Sequence, residues 1–403
     1  MSFRPPKGTD DLLAPDSQTW REAQAAWDDW SARYGYPLVA TPIFEATDLF
    51  ERGVGETTDV VTKQMFTFTD RGGRSMTLRP EGTAGVVRAY LNSGHQGSWK
   101  GAYSGPFFRY EQPQGGRRRQ FWQVGVEYLD VVKPVADAEV IELGYRYLSA
   151  VGVPGLELLI NSLGDANCRP AFVDALRQYL GQNRSVLSDD SLRLIEVNPL
   201  RVLDSKLDRP LLADPPRMAD FLCVPCADHH RSVMAILEDL SVPFAEDDTL
   251  VRGLDYYTRT TFEFIGRGLD TAQNAVGGGG RYDGLAESLG GPPTPGVGFA
   301  LGLDRIILSA GGEPPGHLDA FLVSATSPEE AIGVASRLRS QGIRVDFDGE
   351  GRSVKAQFRM ANRLGAPVIL VYQGRGHPID ARREQGRDQV PLSEVGNWLR
   401  GTR

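Results

Sequence analysis

Residues 250–264 read Leu-Val-Arg-Gly-Leu-Asp-Tyr-Tyr-Thr-Arg-Thr-Thr-Phe-Glu-Phe, which sets a permanent cation, Arg252, just ahead of a tyrosine pair, Tyr256 and Tyr257. A guanidinium grips a carboxylate or a phosphoryl group through two parallel hydrogen bonds, and a phenol can hydrogen-bond a polar ring. Such a cluster suits a small zwitterion. The plain alternative, a surface arginine beside two core tyrosines, is the commoner use of these residues, so the run needs company before it names a chemistry.

That company comes from four other segments. Residues 107–128 read as strand, polar loop, strand, with Arg109 on the first strand and Arg117, Arg118 and Arg119 in the loop, the cations that a polyphosphate or an RNA backbone would require. Period-two geometry sorts the second strand. Trp122, Val124, Val126 and Tyr128 share a packing face, while Phe121, Gln123, Gly125 and Glu127 share a face fit to be a binding floor, with Gly125 leaving room between amide and carboxylate. Upstream, Thr77-Leu-Arg-Pro-Glu-Gly-Thr-Ala84 offers Glu81 as a partner for an ammonium. Downstream, four consecutive glycines, 277–280, precede Arg281, Tyr282 and Asp283 and permit positive φ and close approach of the backbone to a ligand. The last segment, Gly296-Val-Gly-Phe-Ala-Leu-Gly-Leu-Asp-Arg305, reads as strand into helix. Its glycine spacing is not a dinucleotide fingerprint, and the chain has no Gly-Lys-Ser/Thr phosphate loop.

The elements that must position these residues are legible in part. Trp20, Ala23, Trp27, Trp30 and Tyr34 line one helical face, with Asp16 or Ser17 as N-cap and Gly35 as stop. Residues 37–45 read as a strand interrupted by Pro42, and residues 64–78 as a hairpin turning at Gly72-Gly73. Residues 169–247 are polar and helix-favouring, as an inserted helical segment would be. A linker is expected at 311–316, followed by strands at 320–324, 343–347 and 367–372 alternating with two helices. That alternation predicts a small α/β domain with a largely parallel sheet. The expected divisions are 1–168, 169–247, 248–312 and 317–403.

With 403 residues and 41% hydrophobic content the chain can bury a full core, and two to three domains are expected. Its formal charge of −8 gives no global basic character, so a nucleic-acid partner would need local positive stripes. Three cysteines are too few for a disulfide framework and fit a reducing compartment. The first residues lack an apolar core of the signal-peptide kind, and a cytoplasmic location is expected.

Taken together, and in this order, these segments resemble the signature motifs of class II aminoacyl-tRNA synthetases, specifically the histidyl-tRNA synthetase family, over nearly the whole chain. The resemblance implies an α+β catalytic domain with an antiparallel sheet flanked by helices, a helical insertion and a C-terminal α/β anticodon-binding domain. It implies ATP-dependent ligation of L-histidine to tRNA(His) through a histidyl-adenylate, with Mg2+ accompanying the ATP substrate and no tightly bound cofactor. By it, Arg109 holds the α-phosphate, Arg117 the terminal phosphates, and Arg305 stacks on the adenine and reaches the terminal phosphate. Glu81 and Thr83 take the α-amino group, while Gln123, Glu127, Tyr257 and Tyr282 contact the amino acid, Glu127 and Tyr257 at the imidazole. Arg252 corresponds to the catalytic arginine that bridges the carboxylate and the α-phosphate. Pro42 falls where the family builds a homodimer interface.

There are departures. Gln112, Arg118 and Trp122 stand where arginine, tyrosine and histidine are expected, and Gln112, Arg118 and Arg119 belong to the loop used on the tRNA acceptor end, which puts acceptor recognition in question. The C-terminal domain keeps Gly351-Arg352-Ser353-Val354-Lys355, but its tail from Gly374 to Gln389 looks shortened. An alternative is a synthetase-like paralogue that regulates histidine biosynthesis; such relatives lose the arginine of the opening signature and the anticodon domain, and this chain retains both. An adenylating enzyme with altered tRNA recognition is a further alternative. Cys223-Val-Pro-Cys226 with His229 and His230 has a metal-like spacing, but adjacent histidines on a helix point different ways and no second cysteine pair exists, so no metal site, zinc included, is expected.

Overall fold

The computed structural model describes residues 3–55, 58–112, 117–205, 207–269, 274–312, 316–384 and 386–401. The central Pro-rich part of the expected linker, residues 313–315, and residues 113–116 of the arginine-rich loop lie outside them. The chain forms two compact units, one of Met1–Asp11 with Trp20–Gly311 and one of Leu12–Thr19 with Gly312–Arg403. Among the described residues no helix is long and apolar enough to cross a membrane.

In the first unit, α1 (Asp16–Arg33) presents the anticipated aromatic face: Trp27 is 1% exposed and meets Tyr147 and Phe299 edge-on at 5.2 and 5.9 Å. The chain then turns at Gly35, whose φ is +73°. The strand expected over 37–45 is not formed as one piece. Leu38 makes an isolated bridge to Ala102, and the chain resumes as β1 (Phe44–Ala46), because Pro42 has no N–H to carry the ladder between them. After α2 (Thr47–Val54), β2 (Phe66–Thr69) and β3 (Ser75–Leu78) form the expected hairpin, and β1 adds to β3 on its other side.

The main sheet is built from β4 (Trp99–Phe108), β5 (Gln120–Leu129), β6 (Glu157–Ser162), β7 (Ala245–Glu246), β8 (Thr258–Ile265), β9 (Ala275–Arg281) and β10 (Gly296–Gly302). Their order is β4-β5-β10-β9-β8-β6-β7, antiparallel except for the β6–β7 edge. Helices α3 (Thr83–Ser93) and α4 (Pro134–Ala150) come from the first half of this unit. Helices α5 (Arg169–Gln182), α6 (Asp189–Val197), α7 (Leu200–Leu203) and α8 (Val224–Asp239) occupy the stretch read as helical. Helices α9 (Leu285–Ser288) and α10 (Leu303–Ala310) flank β10 in sequence.

The two faces of the sheet differ in what they bury. One packs an apolar core including Val124, Val126, Phe262, Phe264, Phe299 and Leu301 with Ile141, Leu148 and Trp27. Within this layer Arg281 is fully buried and forms an ion pair with Asp137, itself fully buried; Arg281 Nε lies 3.1 Å from Asp137 Oδ1, and His229 Nε2 lies 3.3 Å from the same oxygen. Arg281 also donates to the Val131 carbonyl at 2.7 Å. The other face carries a trough of glycines. Glu127 pairs in register with Gly298, which pairs with Gly280, and Gly298 leaves the space into which Glu127 folds. A Cβ on Gly298 would overlap Glu127 Oε2.

In the second unit, β11 (Ala320–Ser324), α11 (Pro328–Ser340), β12 (Val345–Phe347), α12 (Val354–Arg363) and β13 (Ile369–Tyr372) give the expected α/β alternation with parallel pairing. Ser327 caps α11 by accepting the Glu330 N–H. The tail adds an antiparallel hairpin, β14 (Ile379–Arg383) and β15 (Gly386–Val390), so the five-stranded sheet, ordered β12-β11-β13-β14-β15, is mixed. The sequence hides this hairpin because its pairing is held by charge rather than by alternating apolar side chains: the buried Asp380 carboxylate takes both Arg382 and Arg387, and most of β15 is exposed. The unit ends with α13 (Val395–Arg400).

Removing one partner of a buried ion pair strands the other charge, so Arg281→Met is expected to lower the unfolding free energy by about 3–5 kcal/mol in urea titration. The double variant Arg281→Met/Asp137→Leu is expected to recover much of that loss; a single variant as stable as the parent would remove the pair from the core's energetics.

Candidate active site

The trough opens into a cavity of about 660 Å³ lined by both acids and arginines. Of the residues singled out from sequence, Glu81, Thr83, Arg109, Arg117, Arg118, Gln123, Arg252, Tyr257 and Arg305 line it. Segments separated by up to 224 positions are thereby collected on one face of the sheet.

The acidic end is set by the start of α3. Glu81 is 4% exposed and accepts the Thr83 and Ala84 N–H groups at 2.7 and 3.0 Å, so its carboxylate satisfies the helix's first donors. Thr83 Oγ1 in turn donates to Glu127 Oε1 at 2.7 Å, and Tyr282 donates to Glu127 Oε2. Glu127 and Tyr282 do not line the cavity; they form the layer beneath it, 0% and 2% exposed. Burial pushes the Glu127 carboxyl up to about 8, against the hydrogen bonds from Tyr282 and Thr83 that favour its ionised form. Burial also raises Glu81, opposed by the N–H groups of Ala84 and Thr83. The room expected beside Gly125 is occupied from within the protein: a Cβ there would strike the Tyr103 ring, whose hydroxyl lies 3.5 Å from the Phe299 carbonyl.

The glycines 277–280 serve a different purpose from the one their sequence implied. None has a positive φ; they lie in β9, in the middle of the sheet. They are small because side chains cross over them: a Cβ on Gly278 would come 2.9 Å from Arg252 Nη1, and one on Gly280 would come 2.8 Å from the Tyr257 ring. Arg252 is thus laid across the sheet, where it forms an ion pair with Glu263 of β8. Sequence reading missed Glu263, although the acid stood in the same run, among alternating strand residues. Burial lowers and Glu263 raises the affinity of Arg252 for its proton, and the net shift is upward.

Tyr256 lines the cavity, stacks on Tyr257 at 4.6 Å between centroids, and meets Tyr282 edge-on at 5.7 Å. The backbone of this pair is held by Arg169 of α5, which donates to the Tyr257 carbonyl at 2.5 Å. No sequence signal marked Arg169.

At the opposite end the cations gather. Arg109 donates to the Pro80 carbonyl at 2.9 Å and lies over Phe121, 5.4 Å from its centroid. Arg117 pairs with Glu111 at 3.2 Å, and Arg305 donates to the Ala275 carbonyl at 2.7 Å. Arg118 reaches Asp304 at 3.3 Å and Asp10 at 3.1 Å. Asp304 also accepts the Trp122 N–H, which ties the end of the loop to α10. Two of the loop residues stand outside the cavity: Arg119 stacks on Tyr110 at 3.7 Å, and Gln112 is exposed. Gln123 Oε1 is enclosed without a hydrogen-bond partner. The cavity therefore brings together carboxylates, an amide and several guanidiniums, Arg252 among them, an arrangement able to take an amino acid against a polyphosphate.

The cysteine–histidine grouping whose spacing the sequence showed, and which was not expected to hold a metal, is not assembled. His229 faces Asp137 and His230 lies 3.2 Å from Glu246, so neither joins Cys223 and Cys226.

Comparison with known proteins gives the same reading. The family model described as histidyl-tRNA synthetase matches residues 8–189 and 200–306, and that described as an anticodon binding domain matches residues 319–400. The chain is 45% identical to a histidine–tRNA ligase of Koribacter versatilis over 388 residues, covering 91% of this chain and 87% of that one. It is 46% identical to that of Rhodococcus erythropolis over 415 residues, covering 99% and 97%. The solved structure of apo histidyl-tRNA synthetase from S. aureus superposes with a TM-score of 0.78 at 34% identity, covering 99% of this chain and all of that one. With matches that run through both units, the chain belongs to the histidyl-tRNA synthetase family.

Proposed function

We propose that this protein ligates L-histidine to tRNA(His) in two steps, the histidine carboxylate first attacking the α-phosphorus of ATP with loss of pyrophosphate. The resulting adenylate then passes its acyl group to a hydroxyl of the terminal ribose of the tRNA, releasing AMP. The observation that carries the reading is Arg252, laid over Gly278 in a cavity that Glu81, Arg109, Arg117 and Arg305 also line. From there one guanidinium can touch both a bound carboxylate and an α-phosphate, and it stabilises the charge that builds on the phosphorus as the bond forms. Rate enhancement then comes from positioning and electrostatics, with no protein base required.

In this reading Glu81 and Thr83 take the α-ammonium, and Gln123, with its unpartnered carbonyl oxygen, offers a hydrogen bond to the substrate. Glu127 and Tyr257 read the imidazole, with Tyr282 orienting Glu127. Because Glu127 lies below the cavity, the ring gains it when Tyr256 or Thr83 gives way. Arg109, Arg117 and Arg305 hold the α-phosphate, the terminal phosphates and the adenine with its terminal phosphate. Glu111 and Glu263 line the same cavity and are the oxygen donors suited to Mg2+ arriving with ATP, which supplies neutralisation of phosphate charge. Gln112, Arg118 and Arg119 belong to the acceptor-end loop, with Arg118 anchoring it through Asp304. The C-terminal unit, residues 317–403, reads the anticodon. Residues 169–247 are a helical insertion between the two catalytic parts, 1–168 and 248–312.

We also place the protein in the cytoplasm as a homodimer. Support for pairing comes from Ile43, Phe44 and Phe68, exposed by 44%, 51% and 44% beside Pro42, with Phe44 and Phe68 in ring contact at 6.2 Å. A regulatory role in place of catalysis is disfavoured by the intact Arg252 site.

Histidine-dependent pyrophosphate exchange and charging of tRNA(His) are both expected; absence of both in a chain that still binds ATP would sink the enzyme reading. Arg252→Ala is expected to slow exchange by roughly a hundredfold or more with ATP affinity little changed, and near-normal turnover would take Arg252 out of the mechanism. Glu127 supplies a pH test. Its folded proton affinity exceeds that of an unfolded glutamate, so its contribution to stability is full below about pH 4.5 and is lost as pH rises through about 8. Glu127→Gln should therefore gain on the parent in melting temperature between pH 5 and 8, by an amount equivalent to a few kcal/mol; parallel pH profiles would show that Glu127 is not strained as a carboxylate.

A further inference from the structure

All three cysteines of the chain meet at one place, with Asp165 as a fourth member. The ligand atoms of Asp165, Cys168, Cys223 and Cys226 lie within 4.8 Å of one another. We propose that these four residues form a structural zinc site that fastens the two principal helices of the insertion to the catalytic sheet.

Three features of the geometry carry this. The ligands form two pairs of x2 spacing, Asp165/Cys168 and Cys223/Cys226, the spacing that lets one turn of chain present two ligands to one ion. Each pair sits at a helix start: Cys168 is the N-cap of α5 and Cys223 that of α8, so the N–H ends of two helices converge on the cluster and favour negative charge there. Tetrahedral zinc with a thiolate bond of about 2.3 Å and a carboxylate bond of about 2.0 Å sets sulfur and oxygen ligands about 3.5 Å apart. The present separations, 3.5 Å from Cys168 Sγ and 3.9 Å from Cys223 Sγ to Asp165 Oδ1, need little adjustment.

The surroundings balance the charge such a site would hold. Three thiolates and a carboxylate around Zn2+ leave two negative charges, and two arginines attend them. Arg259 lies 3.6 Å from the second oxygen of Asp165, and the charge of Arg169 acts on Cys168, Asp165 and Cys226. Such outer partners orient carboxylate ligands and hold them to the ion. The same arginines tie the site to the catalytic sheet. The backbone N–H of Arg259 donates to Gly164 and its carbonyl accepts from Leu163, both at 2.7 Å, while Arg169 holds the Tyr257 carbonyl. Cys168 and Cys226 are buried and Asp165 and Cys223 partly so, and none of the four lines the cavity that holds Arg252. The role is therefore one of fastening, not of chemistry.

The full-length chain, produced in zinc-supplemented medium and washed with a mild chelator, is expected to retain about one zinc per chain by elemental analysis. Replacing zinc with cobalt should give the intense thiolate-to-metal absorption and visible bands of a tetrahedral site. Cys226→Ser and Cys168→Ser should both lose the metal, whereas His230→Asn should keep it. A chain that holds no zinc and gives no cobalt–thiolate band overturns the proposal. So does a Cys168→Ser variant with full zinc content, or a Cys223–Cys226 disulfide in protein isolated under reducing conditions. Should the serine variants fail to fold, the cobalt spectrum of the unmodified chain decides the matter alone.

Discussion

A carboxyl group sealed inside a sheet sets the terms for everything near it. Glu127 has no exposed surface, accepts hydrogen bonds from Thr83 and Tyr282, and occupies space that exists only because Gly298 stands beside it. A buried carboxylate without a cation is costly, and a neutral carboxyl is the outcome when hydrogen bonds alone must hold it. The fold supplies cations nearby but spends them elsewhere: Arg252 is paired with Glu263, and Arg281, one position beyond the glycines, projects to the opposite face to meet Asp137.

The two faces of the sheet thus divide the electrostatic work. On the packing face the charges of Arg281 and Asp137 neutralise one another among apolar side chains, with His229 as a third member. Burial would drive the Asp137 carboxyl up, yet His229 and Arg281 hold it below its usual range. On the open face the charges line a cavity instead of a core, with Glu111 against Arg117, Asp304 against Arg118 and Glu263 against Arg252.

Much of this could be read from residue types and spacing. The period-two division of residues 121–128 held for the positions that matter most, with Val124 and Val126 fully buried in the core and Glu127 on the face of the trough. Helix α1 was legible for the same reason, since its apolar spacing reports on a buried face, whereas the β2–β3 hairpin showed itself by its alternation and the glycines of its turn although β2 is largely exposed. The misreadings arose where a partner is distant in sequence. The glycines of β9 were read as a place for positive φ because the side chains that cross Gly278 and Gly280, Arg252 and Tyr257, sit more than twenty residues away. Arg169 and Glu263 gave no signal, since an arginine at a helix start and a glutamate in a strand are ordinary until the fold brings them to Tyr257 and Arg252. The same holds for Cys168, which lies 55 residues before Cys223 and joins it only through the packing of two helix starts.

The hydrogen bond from Arg169 to the Tyr257 carbonyl has a wider meaning than the ordering of one loop. It fastens the first turn of α5 to the backbone of Tyr257, a residue of the cavity, although no side chain of that helix lines it. Binding and helix placement are then linked quantities: whatever free energy a ligand gains from a correctly set Tyr257 must be returned, in equal amount, as a preference of α5 for its docked position. Occupancy of the small-molecule site and the posture of the insertion become two readings of one equilibrium. Substitutions along α5, remote from any reacting atom, would then be felt first in the affinity for the amino acid.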